Sequence, residues 1–145
     1  YLALLSDLEF DKLAALPYAA LPIATAVSLL GGFPYIYPRK EVKSYGTKAE
    51  IEGVYFPGER VLVLDDLVTT GGSKFEAIEK LNKEGLVVKD VVVLIDRQSG
   101  AKIEFSKAGY RLHSVFTLTE LLDYWELTEQ VTTQDIQEVR NFLNQ

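Results

Sequence analysis

Apolar residues in this chain fall into two alternating patterns, short continuous runs and longer segments with helical spacing. The continuous runs predict strands over residues 13–16, 35–37, 61–64, 87–95 and 111–116. The helical spacing predicts helices over residues 2–10, 21–30, 101–108 and 133–143, one from Ser73 to Gly85, and one just before the last. Strands that alternate with helices predict an α/β fold, a parallel sheet covered on both faces, with ligands bound where the strands end.

The strand over residues 61–64 ends in an unusual turn. Asp65 and Asp66 follow it directly, and a short segment rich in threonine and glycine leads from them to Ser73. Ser73 and Glu76 have the spacing of a capping box, which predicts that a helix begins here. The unpaired amide groups and the dipole of a helix N-terminus favour an anion, and glycine lets a phosphate approach the backbone closely. The turn therefore predicts a phosphate-binding site.

The two adjacent acids indicate what accompanies the phosphate. Carboxylates would repel a phosphate unless they face hydroxyl groups or a metal, and ribose hydroxyls are suitable donors to an ionised carboxylate. The turn thus fits phosphoribose as a unit. The alternative is an ordinary strand-to-helix turn whose acids cap the helix or face solvent. Neither G-x-x-x-x-G-K-[ST] nor a G-x-G-x-x-G that follows a strand occurs in the sequence, which disfavours a nucleoside triphosphatase or a dinucleotide enzyme.

Residues 39–58 form one long, charged connection that could act as a lid. Four cations within ten residues could bind a pyrophosphate and offset its charge as it leaves: Arg39, Lys40, Lys43 and Lys48. The alternative is a solvated hairpin, because Glu41, Glu50 and Glu52 lie among these cations and nearly cancel them.

At these residues the chain resembles the type I phosphoribosyltransferases, whose hallmark is a strand, two acids and a T-[TS]-G-x-[ST] loop that hold phosphoribosyl pyrophosphate (PRPP). Residues 39–48 and 96–100 make the chain similar to the orotate phosphoribosyltransferases, above all to the form in bifunctional uridine monophosphate (UMP) synthases. The similarity runs from about Leu16 to Thr117, with further similarity to the C-terminus. It implies a central, mostly parallel sheet flanked by helices, with a long mobile loop.

The resemblance implies three sets of site residues. The catalytic set is Lys43, Asp65 and Asp66. The PRPP-binding set is Arg39, Lys40, Lys43, Tyr45, Asp65, Asp66, Leu67, Val68, Thr69, Thr70, Gly71, Gly72 and Ser73. The orotate-binding set is Tyr18, Ala19, Thr69 and Arg97. Arginine can fork onto a carboxylate such as that of orotate, although Asp96 and Arg97 could instead form a surface pair in a turn.

The resemblance further implies that orotate and PRPP are converted to orotidine 5'-monophosphate and pyrophosphate, with Mg²⁺ held mainly by PRPP and no protein ligand assigned to it. It implies a cytoplasmic homodimer whose residues 39–48 reach the partner's site, and it leaves open a fusion to orotidine monophosphate decarboxylase. Three alternatives remain: a PRPP-binding paralogue or sensor without turnover, a structural domain that dimerises within a fused enzyme, and a phosphoribosyltransferase for another nucleobase.

Composition narrows these possibilities. The 145 residues, 48% of them hydrophobic and 25% charged, suit one globular domain over residues 1–145. A net charge of −6 argues against nucleic acid as a partner, and the absence of cysteine excludes disulfides and thiol nucleophiles. The longest apolar segment, residues 13–30, is broken by Pro17, Tyr18 and Pro22, so we expect no membrane span.

Two further expectations come from single residues. The chain begins at Tyr1 and contains no methionine, so we expect a segment of a longer polypeptide or a processed chain. The resemblance implies an N-terminal lid segment, which nothing in this sequence matches, so we expect that this lid is missing. We expect the single histidine, His113, to be structural, because its sequence neighbours include no acid.

Overall fold

The computed structural model describes residues 1–40 and 50–143. Its strands are β1 (Lys12–Ala15), β2 (Tyr35–Pro38), β3 (Ile51–Glu52), β4 (Arg60–Val68), β5 (Val87–Asp96) and β6 (Arg111–Thr117). Its helices are α1 (Leu2–Leu5), α2 (Ala20–Gly31), α3 (Gly72–Lys83), α4 (Ala101–Lys107), α5 (Leu118–Leu127) and α6 (Thr133–Leu143). Across these described ranges, every helix is too short or too polar to cross a lipid bilayer.

The strands form one sheet in the order β3-β2-β1-β4-β5-β6. All neighbouring strands are parallel except β2 and β3, which are antiparallel. The predicted α/β fold with a mostly parallel sheet is therefore confirmed. The chain moves outward from β1 to β2 on one side and from β4 to β5 on the other, so the strand order reverses between β1 and β4. In open α/β sheets a crevice forms at such a point, beyond the carboxyl ends of the strands.

Both faces of the sheet are buried, which explains why the central strands are continuously apolar. Successive side chains of β4 point to opposite faces: Val61 and Val63 join one core cluster, and Leu62 and Leu64 join the other. The first cluster packs under α3 and α4 and includes the fully buried Phe105. The second cluster packs under α1 and α2. The sheet is thus a rigid platform for the loops at its carboxyl edge.

Two element predictions need correction. The helix predicted over residues 2–10 ends at Leu5, yet Leu8 and Phe10 still pack against the second core cluster, so their burial is achieved without helix. Strand β3 lies inside the connection predicted to be one long loop. It has only two residues, too few to produce a periodic signal, and a hydrogen bond from the Arg39 N–H to the Glu50 carbonyl (2.7 Å) closes it against β2.

The start of α3 also differs from the prediction. The helix begins at Gly72, its N-cap is Gly71, and no side chain caps it, so the capping box predicted from Ser73 and Glu76 is wrong. Instead, the Gly71 carbonyl accepts hydrogen bonds from the N–H groups of Lys74 (2.9 Å) and Phe75 (3.1 Å). The turn is therefore shaped by backbone contacts, and the Ser73 hydroxyl is not needed as a cap.

Candidate active site

A cavity of about 440 Å³ opens where the strand order reverses, at the carboxyl ends of β1 and β4. We call it the main cavity. One wall follows β1 and the other is the turn between β4 and α3. The lining residues are Pro17, Tyr18, Ala19, Asp65, Asp66, Leu67, Thr69, Thr70, Gly71, Gly72, Ser73 and Lys74. The fold thus brings three of the four predicted orotate-binding residues, Tyr18, Ala19 and Thr69, into one cavity with most of the residues predicted to bind PRPP.

The turn from Thr69 to Ser73, which we call the phosphate turn, presents backbone amides to this cavity. Because Gly72 and Ser73 open the 12-residue helix α3, their N–H groups have no carbonyl partner within the helix, and the helix dipole adds positive potential there. An ideal Cβ on Gly72 would meet no atom within 4 Å, so the protein leaves the space beside this residue open. The turn can therefore receive a phosphate group, as the sequence predicts.

Both acids belong to β4, which continues to Val68 and does not end at Leu64 as predicted, and they differ in their surroundings. Asp65 is buried: its Oδ2 lies 2.7 Å from Nζ of Lys74, and its Oδ1 accepts a hydrogen bond from the Asp66 N–H (2.9 Å). Burial raises the pKa of Asp65, while the hydrogen bond and charge of Lys74 act in the opposite direction. Asp66 is half-buried, and its Oδ1 accepts from the Leu67 N–H (2.8 Å). Asp66 is thus the more accessible acceptor, and Asp65 is held by a buried cation.

Lys74 is a site residue that the sequence analysis missed. It lies on the buried face of α3 together with Ala77, Ile78 and Leu81. A signal was present, because position 74 falls on the apolar stripe at helical spacing from these residues. A lysine at a core-facing position is almost never fully buried unless it is paired, so it points to a buried acid.

A smaller adjoining cavity of about 140 Å³ is lined by three cations and by two acids, Asp65 and Glu76. It shares Pro17, Asp65 and Ser73 with the main cavity and is also lined by Arg39, Lys40 and Lys80. The predicted cations Arg39 and Lys40 therefore lie beside the phosphate turn, and Lys80 is a third cation that the sequence analysis did not single out.

Each of these cations has a defined environment. The guanidinium of Arg39 pairs with the carboxylate of Glu52 on β3, and Nζ of Lys80 donates to the Arg39 carbonyl (3.1 Å). Nζ of Lys40 lies 5.6 Å from the centre of the Tyr18 ring, within the range of a cation–π contact. Arg39 is thus held by β3, Lys40 lies against the loop after β1, and Lys80 extends from α3 to the backbone of Arg39.

Other predicted site residues lie apart from the main cavity. Lys43 and Tyr45 fall outside the described residues. The N–H of Arg97 donates to the Val68 carbonyl (3.0 Å), which places Arg97 at the same sheet edge, but within the described chain its side chain does not line the cavity. Val68 is fully buried in the core. Asp96 is buried and accepts from the Gln98 N–H (2.8 Å), an arrangement unlike the surface pair with Arg97 that was the alternative.

The single histidine lies away from this site. Nε2 of His113 is 2.8 Å from Oδ1 of Asp90, and Arg111 donates one hydrogen bond to each oxygen of the same carboxylate. The sequence neighbours of His113 include no acid, but the pairing of β5 with β6 brings Asp90 beside it from a distant part of the sequence. Burial alone would raise the pKa of Asp90, but Arg111 and His113 hold it below its ordinary value. This cluster lies in the amino-terminal half of β5, away from the cavity, and it links two strands.

Comparison with known proteins identifies the family. No model of a known protein family matches the chain. A crystal structure of Mycobacterium tuberculosis orotate phosphoribosyltransferase in complex with PRPP matches it with 32% sequence identity and a TM-score of 0.70, covering 82% of this chain and 69% of that one. The chain belongs to the orotate phosphoribosyltransferase family. The resemblance inferred from residues 39–48, 61–73 and 96–100 is thereby confirmed.

Two longer relatives of this orotate phosphoribosyltransferase domain are UMP synthases. The structure of Leishmania donovani UMP synthase has a TM-score of 0.91 and 48% identity, over 98% of this chain and 31% of that chain. Uridine 5'-monophosphate synthase of Bos taurus is 40% identical over 140 residues, which are 97% of this chain and 29% of that protein. The chain therefore spans less than a third of each of these relatives.

Proposed function

We propose that this domain transfers the phosphoribosyl group of PRPP to orotate, forming orotidine 5'-monophosphate and pyrophosphate in pyrimidine biosynthesis. The observation that carries the proposal is the main cavity, which joins the Thr69–Ser73 turn, both acids and the loop after β1. Membership of the orotate phosphoribosyltransferase family supports the choice of orotate. The PRPP complex of the Mycobacterium tuberculosis relative supports the choice of PRPP.

The ribose 5-phosphate half of PRPP fits the main cavity by charge. Its phosphate would bind the amides that open α3, and its hydroxyls would donate to Asp65 and Asp66. During transfer the ring nitrogen of orotate forms a bond to the ribose C1 carbon, the bond from that carbon to the pyrophosphate oxygen breaks, and the nitrogen's proton is released. The sugar carbon becomes more positive in the transition state, and the two nearby carboxylates would stabilise it.

The pyrophosphate half of PRPP calls for cations, and the adjoining cavity supplies them. Arg39 and Lys40 line that cavity and would contact the pyrophosphate as it leaves with the bonding electron pair. The Arg39 guanidinium is paired with Glu52. To bind the pyrophosphate, Arg39 must either contact both groups at once or break its ion pair with Glu52. The roles of Lys43 and Tyr45 in the same step rest on the family resemblance alone.

Orotate would lie on the side of the ribose opposite the pyrophosphate. Tyr18, Ala19 and Thr69 line the main cavity beside the ribose position and would contact the base. Arg97 would hold the orotate carboxylate, and this contact requires its side chain to turn toward the cavity from its place after β5.

Mg²⁺ is the cofactor we propose, bound mainly by PRPP. The two adjacent acids could accept an additional contact, but residues 1–40 and 50–143 contain no group of three or more His, Cys, Asp or Glu side chains suited to hold a metal. We therefore propose that Mg²⁺ enters the site bound to PRPP. When bound, Mg²⁺ would neutralise the charge that develops on the pyrophosphate.

We also propose a cytoplasmic homodimer in which residues 39–48 reach the partner's site, on the family resemblance alone. The two UMP synthases, of which this chain spans 29% and 31%, support the proposal that the domain is fused to orotidine monophosphate decarboxylase.

A direct assay tests the proposed reaction. The purified protein is mixed with Mg²⁺ and PRPP, separate reactions receive orotate, uracil or hypoxanthine, and the nucleotide products are separated by chromatography. We expect orotidine 5'-monophosphate from orotate and no nucleotide from the other bases. Product from another base would overturn the assignment of orotate. PRPP binding without product in any reaction would favour a sensor.

A further inference from the structure

Lys74 makes an unusual contact for a lysine. Its side chain is only 6% exposed, and its Nζ lies 2.7 Å from Oδ2 of Asp65, whose side chain is 12% exposed. Because Asp65 is the last residue of the continuous buried run of β4 (residues 61–65) and Lys74 belongs to the first turn of α3, the ion pair spans the phosphate turn from one side to the other. Burial of a lysine costs free energy unless an acid neutralises its charge, so Lys74 depends on Asp65 as its partner.

The pair also borders the main cavity, because both Asp65 and Lys74 are among its lining residues. Each oxygen of the Asp65 carboxylate has one partner among the described residues, Lys74 at Oδ2 and the Asp66 N–H at Oδ1. An ionised carboxylate has about four acceptor positions in total, so each oxygen retains one for a further donor. A ribose hydroxyl in the cavity is such a donor.

Lys74 also favours the ionised form of Asp65. Burial raises the pKa of Asp65, the side chain of Asp66 raises it further, and Lys74 lowers it, as does the hydrogen bond from the Asp66 backbone. The Tyr1 hydroxyl also lies near, since it donates to the Asp65 carbonyl (2.6 Å). Across residues 1–40 and 50–143, Lys74 is thus the one cation that forms an ion pair with Asp65. Without it, the carboxyl group would protonate more readily and lose acceptor capacity.

We propose that Lys74 is a positioning residue for the ribose of PRPP, which acts through Asp65 by holding its carboxylate ionised and oriented toward a ribose hydroxyl. The inference rests on the proposed function and deepens it. Lys74 does not itself contact the reacting atoms. A purely structural ion pair, which stabilises the turn without affecting ribose binding, is the alternative that the experiment must separate.

A double-mutant cycle tests whether Lys74 acts through Asp65. The dissociation constants of PRPP and of ribose 5-phosphate are measured by calorimetry for the parent, Lys74→Met, Asp65→Asn and the double variant. We expect Lys74→Met to weaken binding of both ligands about tenfold in the parent and less than about twofold in the Asp65→Asn background. Lys83→Met, an exposed lysine at the far end of α3, is the matched control and should bind like the parent.

The pH profile and a conservative variant provide a second readout. Affinity for ribose 5-phosphate falls as Asp65 becomes protonated, so Lys74→Met should move that fall to higher pH, and Lys74→Arg should restore most of the affinity. Unchanged affinity and an unchanged profile in folded Lys74→Met would overturn the proposal. So would an equal loss of affinity in the Asp65→Asn background.

A measurement on the parent covers the case in which Lys74→Met does not fold. The Asp65 carboxyl carbon is titrated by NMR with and without ribose 5-phosphate, and the proposal requires that the ligand lower the pKa of Asp65. An unchanged titration would overturn it. Failure of the proposed function is recognised separately, because a parent that binds no PRPP refutes it whatever Lys74 does. A parent that binds PRPP without turnover refutes catalysis alone.

Discussion

The Cβ position of Gly71 lies 2.6 Å from Cε2 of Phe105, so any side chain on Gly71 would collide with that ring. Gly71 also has a φ of +94°, a conformation that glycine adopts readily and other residues rarely do. Phe105 is fully buried and stacks on Phe75, with ring centres 4.5 Å apart. Phe105 of α4 thus packs directly against the phosphate turn, and this close contact requires glycine at position 71.

Gly71→Ala should therefore destabilise the protein by about 1–3 kcal/mol, because overpacking against Phe105 adds to backbone strain. Gly72→Ala is the matched control: its Cβ would meet nothing within 4 Å, and we expect its free energy of unfolding to stay close to that of the parent. Urea denaturation of the three proteins measures the difference. Similar losses in both variants would contradict the packing argument.

Asp66→Asn should separate sugar binding from phosphate binding. If Asp66 accepts from ribose hydroxyls, the variant should bind PRPP about tenfold more weakly while binding inorganic phosphate at least as well as the parent, because one negative charge near the phosphate is removed. Asp123→Asn is the control, since Asp123 is an exposed acid paired with Arg140 on the C-terminal helices. Calorimetry with both ligands gives the comparison, and an equal loss for PRPP and phosphate would refute this division of the site.

The parts of the fold and site that could be predicted from the sequence depend on local signals. The apolar run 61–64, the two acids and the glycines define strand, turn and helix within 25 residues, and the parallel sheet follows from the alternation of elements. The resemblance to orotate phosphoribosyltransferases added Tyr18 and Ala19, and the fold places both beside the turn.

The parts that could not be predicted depend on contacts between distant residues. Arg39 pairs with Glu52 only because β3 folds back on β2, and His113 meets Asp90 only because β5 and β6 are in register. The capping box was wrong because backbone contacts at Gly71 already fix the start of α3. Local sequence carries no information on which of several charged residues will become partners.

Asp90→Asn should destabilise the protein in a pH-dependent way. The folded state holds the pKa of Asp90 below its ordinary value of 3.8, so its contribution to stability is present above pH 3.8 and is lost as pH falls through the folded-state pKa. We expect the variant to lose about 1–3 kcal/mol at neutral pH, because Arg111 and His113 lose a buried charged acceptor. Urea denaturation across the acidic range should show this difference shrinking as pH falls. A constant difference between parent and variant would contradict the assigned pKa shift.

Lys43→Ala should lower turnover far more than it weakens orotate binding. Lys43 lies outside the described residues, and its role follows from the family resemblance and from the cations that neighbour it in the sequence. A cation that meets the departing pyrophosphate stabilises charge mainly in the transition state, so its loss should reduce kcat and leave the dissociation constant of orotate nearly unchanged. Lys107→Ala, an exposed lysine paired with Glu104 on α4, is a control of equal charge change. Steady-state kinetics and orotate calorimetry on both variants decide the matter, and equal effects of Lys43→Ala on turnover and on orotate binding would count against the role in pyrophosphate departure.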